Sequence, residues 1–159
     1  MSATLLQKIH PFIGINAVAD AFASTVYSDV VNAKGYSKVL FVVHHGVGAT
    51  GTSTFTVLAG SDTANPPTAS TAVPFKYKVM STSDTEGALT VATTSGFLST
   101  AGSNQIYLIE VDIEELGDTG YSYVCLKCVE GTASARLGGI IGFAYGPRYA
   151  QDIPATALT

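Results

Sequence analysis

Gly46-Val47-Gly48-Ala49-Thr50-Gly51 spells G-x-G-x-x-G directly after an apolar run that reads as a strand. In a dinucleotide-binding fold this loop works because its last glycine opens a helix, whose N-terminus then faces a pyrophosphate. The residues that follow here are Thr52-Ser53-Thr54-Phe55-Thr56-Val57. They alternate with period two and are rich in β-branched side chains, which is strand patterning. Without a helix there is no dipole to hold an anion, so the loop reads as a glycine-rich connection between strands. Cys125-Leu126-Lys127-Cys128 spells C-x-x-C. A redox pair of that spacing sits at a helix N-terminus, which lowers the thiol pKa. Here the motif lies inside a strand pattern, where residues three apart point to opposite faces. The expectation is two reduced thiols, Cys128 in the core and Cys125 on the other face.

His44 and His45 are adjacent and also face opposite ways on a strand, so they do not make a two-His metal face. His45 is expected to pack at the strand end and His44 to fill a core gap. Asp112, Glu114 and Glu115 cluster before Gly117. A glycosidase pair must flank a bond from well-separated positions, and a calcium loop needs a tighter array of oxygen ligands. These three carboxylates are therefore read as one solvated turn. No G-x-S-x-G occurs, and the spacing suggests no Ser, His and Asp set. The chain has no Trp, so a sugar-stacking platform would rest on Tyr77, Tyr121 and Tyr123; strand packing is the plainer reading of those rings. No catalytic residue, metal ligand or cofactor site is expected, and the protein is read as no enzyme.

The elements that carry these residues are strands. Period-two or continuous β-branched runs cover residues 25–31, 38–45, 54–58, 73–80, 89–93, 105–111, 121–129 and 137–145. Turn signals separate them every 8–15 residues. The run at 38–45 is continuously β-branched and aromatic and reads as a central strand buried on both faces. In 73–80, Phe75, Tyr77 and Val79 face one way, and Lys76 and Lys78 face the other. Residues 113–116 read as one helical turn. Residues 17–22 fit a short helix and equally an extended arm. No long helical period intervenes, so a parallel sheet lacks its crossovers. The expected fold is all-β, an antiparallel β-sandwich of about eight strands, jelly-roll-like. An N-terminal arm (1–24) precedes the sandwich domain (25–146), and a C-terminal tail (147–159) follows it.

The composition agrees with a single domain of 159 residues. Hydrophobic residues make up 47% and charged ones only 13%, against about a quarter charged in ordinary soluble chains. Such low charge fits either a surface held against other subunits or a neutral, Ser/Thr-rich surface that stays wet. Net charge is −4 with no block of Lys or Arg, so the basic footprint of nucleic-acid binding is missing. No apolar run reaches the ~20 residues of a membrane span. Lys8, His10 and Pro11 interrupt the first apolar residues and no basic region precedes them, so a secretory leader is not expected. Synthesis and assembly in a cytoplasm are the default expectation.

Four stretches carry a resemblance. They are Thr25-Val26-Tyr27-Ser28-Asp29-Val30-Val31, residues 38–52, Gly102-Ser103-Asn104-Gln105-Ile106-Tyr107, and the run from Gly138-Gly139-Ile140 to Pro147-Arg148-Tyr149-Ala150. Together they resemble small structural proteins of tailed bacteriophages and prophages, of the capsid decoration or cement type. The resemblance spans about residue 18 to the C-terminus. It implies a β-sandwich on the outside of the virion head, made in the host cytoplasm. Its partners would be the major capsid protein and itself, as a dimer or trimer binding across capsid subunits. Candidate contact residues are Leu5, Leu6, Ile9, Phe12 and Ile13 in the arm, and Pro147, Arg148, Tyr149, Ile153 and Pro154 in the tail. Apolar terminal segments cost ordering entropy unless something ties them down; that partner is either a neighbour or the chain's own sandwich. The alternative reading is the receptor- or carbohydrate-binding head of a phage spike or fibre.

Overall fold

The computed structural model describes residues 5–48, 50–82 (without the Thr82 side chain) and 85–147. In chain order the strands are β1 (Ile9–Val18), β2 (Thr25–Tyr27), β3 (Val31–Asn32), β4 (Tyr36–His45), β5 (Thr52–Gly60), β6 (Ser70–Val73) and β7 (Phe75–Thr82). They continue as β8 (Thr85–Glu86), β9 (Thr90–Ala92), β10 (Phe97–Leu98), β11 (Gln105–Asp112), β12 (Tyr123–Thr132) and β13 (Gly138–Pro147). The first sheet runs β1-β13-β4-β11-β7-β8, with β9 also on β7. The second runs β10-β5-β12-β2, with β6 also on β5 and β3 also on β12. Every pairing described is antiparallel. The fold is therefore an all-β sandwich of two antiparallel sheets, with β5 and β12 in the second sheet and the other long strands in the first.

Period-two patterning builds the core. Val39, Phe41 and Val43 of β4, Tyr107, Ile109 and Val111 of β11, and Ile140 and Ala144 of β13 point inward from the first sheet. Phe55, Val57 and Ala59 of β5 and Val124, Leu126 and Cys128 of β12 meet them from the second. Each large apolar side chain removed from water here contributes roughly 1.5–3 kcal/mol. More strands form than the eight expected, because the short ones share lanes: β6 and β10 both pair β5, and β2 and β3 both pair β12.

Three elements differ from the sequence reading. Residues 9–18, expected in an arm, are the edge strand β1, paired with β13 from Ile9↔Tyr145 to Val18↔Gly138. Residues 19–22 turn, and no helix forms there. The run 25–31 divides into β2 and β3 at Ser28 and Asp29, whose side chains accept backbone bonds: the Leu126 amide of β12 donates to Ser28 Oγ at 2.8 Å and the Val30 amide to Asp29 Oδ1 at 3.0 Å. Residues 113–116 do coil, within a 3-10 segment Ile113–Thr119 that buries Ile113 and Leu116. Its end is closed by Gly120, at φ 72°, and by Thr119 Oγ1 donating to Leu116 O at 2.7 Å. A second, short 3-10 turn (Leu5–Gln7) precedes β1.

Candidate functional site

The glycine loop and the C-x-x-C are both built into the sandwich. Residues 46–51 join β4 to β5, and a strand, not a helix, follows them. The loop's glycines make room for residues 134–136: a Cβ on Gly51 would stand 2.9 Å from Ser134 O and 3.4 Å from Arg136 Nε. Cys128 lies in the main core, and Cys125 lies on the opposite face of β12 in a small cluster with Val30 and Leu58. Both thiols are free and buried. Burial pushes the Cys125 thiol up to about 12, and burial beside Cys125 raises that of Cys128 further.

His45 is fully buried, as its place at the strand end suggested, but His44 is exposed. The alternation of β4 sends His44 to the outer face, so it fills no core gap. Around His45 stand Phe22, Phe55 and Tyr107, with ring centroids 4.5, 5.6 and 5.2 Å away. Burial holds its imidazole down to about 3, helped by the Arg136 and His44 charges.

Asp112 does not belong to a turn with Glu114 and Glu115. It ends β11, where Lys38 reaches it at 3.0 Å and Lys76 at 3.2 Å. Lys38 also bonds Glu110 at 2.6 Å, and Tyr145 Oη donates to Glu110. The hydrogen bonds to Glu110 and Asp112 raise the Lys38 pKa. Burial opposes ionisation of Asp112, yet the two lysines hold its carboxyl below the usual range. Beside this ribbon a depression of about 40 Å³ is lined by Pro74, Lys76, Val91, Glu110, Asp112 and Glu115. Ligand pockets run to several hundred Å³, so it has room for solvent rather than a substrate. Among the described residues no three His, Cys, Asp or Glu side chains group to hold a metal.

The largest feature is the outer face of the first sheet. The run 38–45 reads as buried on both faces, but β4 alternates: its inner residues are buried, while Lys38, Leu40, Val42 and His44 look outward. The register carries an apolar row across four strands, Ile13 (β1), Ile141 (β13), Val42 (β4) and Leu108 (β11). Pro11, Phe143 and Leu40 form a second row beside it. Ile13 is 63% exposed and Ile141 53%. Isolated exposed aliphatics are ordinary; contiguous rows of them mark interaction surfaces. The ion-paired ribbon borders this field on one side.

The sequence-derived contact residues divide against this geometry. Ile9 and Ile13 lie on the outer face. Leu5 and Leu6 are exposed on the 3-10 turn. Phe12 is core, packed edge-on against Phe41, because it alternates inward from Ile13. Pro147 pairs with Tyr36 at the end of β13. Arg148, Tyr149, Ile153 and Pro154 lie outside the described residues. Ile141, Phe143, Leu40, Val42 and Leu108 were missed; their signal was apolar residues at both phases of the period. Tyr77 stacks on Phe97 at 3.8 Å, Tyr121 packs against the core, and Tyr123 packs against the Cys125 cluster. The three tyrosines form no common platform.

No protein-family model matches the chain, and no curated protein matches it. Among solved structures, the SPBc2 prophage-derived protein YomS is similar at 13% identity and a TM-score of 0.45, over 86% of this chain and 91% of that one. A structure of infectious bursal disease virus, Gx strain, is similar at 12% identity and a TM-score of 0.27, over 89% of this chain and 42% of that one.

Proposed function

We propose that the protein is a non-catalytic virion structural protein, a capsid decoration or cement protein that binds across the subunits of a phage head. The observation that carries this is the uncovered apolar field on the first sheet, led by Ile13 and Ile141. An antiparallel sheet can leave one face to water when that face is polar, but β4 carries apolar side chains on both faces. One face is satisfied by the second sheet; the capsid shell satisfies the other. The low charge of the chain and the resemblance of its four stretches to phage structural proteins support the same reading. Assembly as a dimer or trimer multiplies modest contacts through effective concentration.

Binding to heads assembled without this protein tests the reading. Ile141→Lys places a charge in the centre of the buried field, and desolvating an unpaired charge there costs at least about 2 kcal/mol, or roughly 30-fold in affinity. Its melting temperature is expected to stay near wild type, because the side chain is exposed in the free protein. Co-sedimentation with heads that Ile141→Lys leaves unchanged would remove the outer face from the account.

A further inference from the structure

Three connections between the sheets meet at one end of the sandwich, and Arg136 ties all three. The turn from β1 to β2 reaches it through Asp20 Oδ1, which accepts from the Arg136 amide at 3.3 Å, and through the Ala21 amide, which donates to Arg136 O at 3.1 Å. The loop from β4 to β5 reaches it through Gly51 O, which accepts from Arg136 Nη2. Arg136 itself lies on the connection from β12 to β13. Its remaining tie is to His45 Nδ1, at the end of β4.

This cation is buried, at 2% exposure, and among the described residues no carboxylate pairs with its guanidinium. A guanidinium only donates, so His45 Nδ1 must be the acceptor and the imidazole must be neutral, with its proton on Nε2. Among the described residues, His45 Nε2 and Arg136 Nε find no hydrogen-bond partner, and both atoms are buried. The groups facing the pair leave a second charge unmet. From β11 stands Tyr107, whose hydroxyl is committed to Gln105 Oε1 at 2.7 Å. From β5 and the β1–β2 turn stand the Phe55 and Phe22 rings. His44 points to the other face of β4, and Asp20 is engaged by the Arg136 amide.

We propose that the His45–Arg136 contact is an acid-sensitive latch: protonation of His45 breaks it and frees the connections at this end of the sandwich while the rest of the core stays folded. A proton on Nδ1 removes the acceptor and sets two cations against each other in a dry site. Opening exposes both groups to water and relieves each of them. The sign follows from His45, held at about 3 when closed, against about 6.5 for an imidazole in water. The closed state is favoured in full above pH 6.5. It loses up to about tenfold per unit as pH falls towards 3. Val47 and Leu137, already exposed at this end, would be uncovered further.

Amide hydrogen exchange between pH 7 and 4, corrected for the intrinsic rate, tests the latch. The reporters are the Gly46 amide, bonded to Leu137 O, the Leu137 amide, bonded to Val47 O, and the Asn104 amide, bonded to Gly46 O. Their protection should fall by up to about tenfold per unit below pH 6, while Phe41 and Ile109 keep theirs. In His45→Gln, whose amide oxygen accepts but does not titrate, the dependence should vanish. Should that variant not fold, an NMR titration of His45 in the wild type serves instead, with proton uptake coinciding with the loss of protection. Protection that is flat with pH, that falls at Phe41 and Ile109 in step, or that falls equally in His45→Gln would overturn the latch.

Discussion

Cys125 and Cys128 stand three residues apart on β12 and share no surface. Each is sealed by its own apolar neighbours, and burial keeps both in the thiol form. With Cys125 at about 12, roughly one molecule in ten thousand carries its thiolate at pH 8. A thiol reagent is therefore expected to leave the native protein untouched and to titrate both cysteines once denaturant is added; fast labelling of native protein would contradict the burial. This separation was legible in the sequence, since a strand alternates its faces. Arg136 was not legible. It stands in Ala133-Ser134-Ala135-Arg136, where no periodicity marks a buried position, and long polar side chains are seldom inside. What buries it is the meeting of three connections far apart in sequence, and only the folded chain brings those together.

Elements were legible where the pattern is regular. β4, β7, β11 and β12 read directly from alternation or from β-branched runs. β1 did not read as a strand because a bulge at Gly14 breaks its phase: Ile13 pairs Ile141, and Ile15 pairs Ile140. Pro11 also argued against a strand, and the edge position of β1 explains why it is tolerated. The strand is held by β13, whose Gly142 leaves the space that Phe12 fills. A Cβ at that position would collide with the Phe12 ring. Gly142→Val is expected to destabilise the fold by about 2–3 kcal/mol in denaturant melts. The same change in a Phe12→Ala background should cost less, since the ring it strikes is gone. Equal costs in both backgrounds would mean that β1 does not pack as described.

At the scale of the molecule, two kinds of surface coexist. One is the charged ribbon of Lys38, Glu110, Asp112 and Lys76, whose members satisfy one another. The other is the apolar field beside it, which nothing among the described residues covers. Reading residues 38–45 as buried on both faces went wrong for an instructive reason. Patterning reports what a strand needs covered, not whether its own chain supplies the cover. The mismatch between that need and the free fold is what points to a partner, and the proposed partner is the capsid shell. Electron cryomicroscopy of heads assembled with this protein tests that claim most directly. The account predicts density for the sandwich on the head exterior, across capsid subunits, with Ile13, Ile141 and Phe143 of the first sheet turned onto the shell. Heads that carry no such density, or that hold the protein with this face towards solvent, would contradict it.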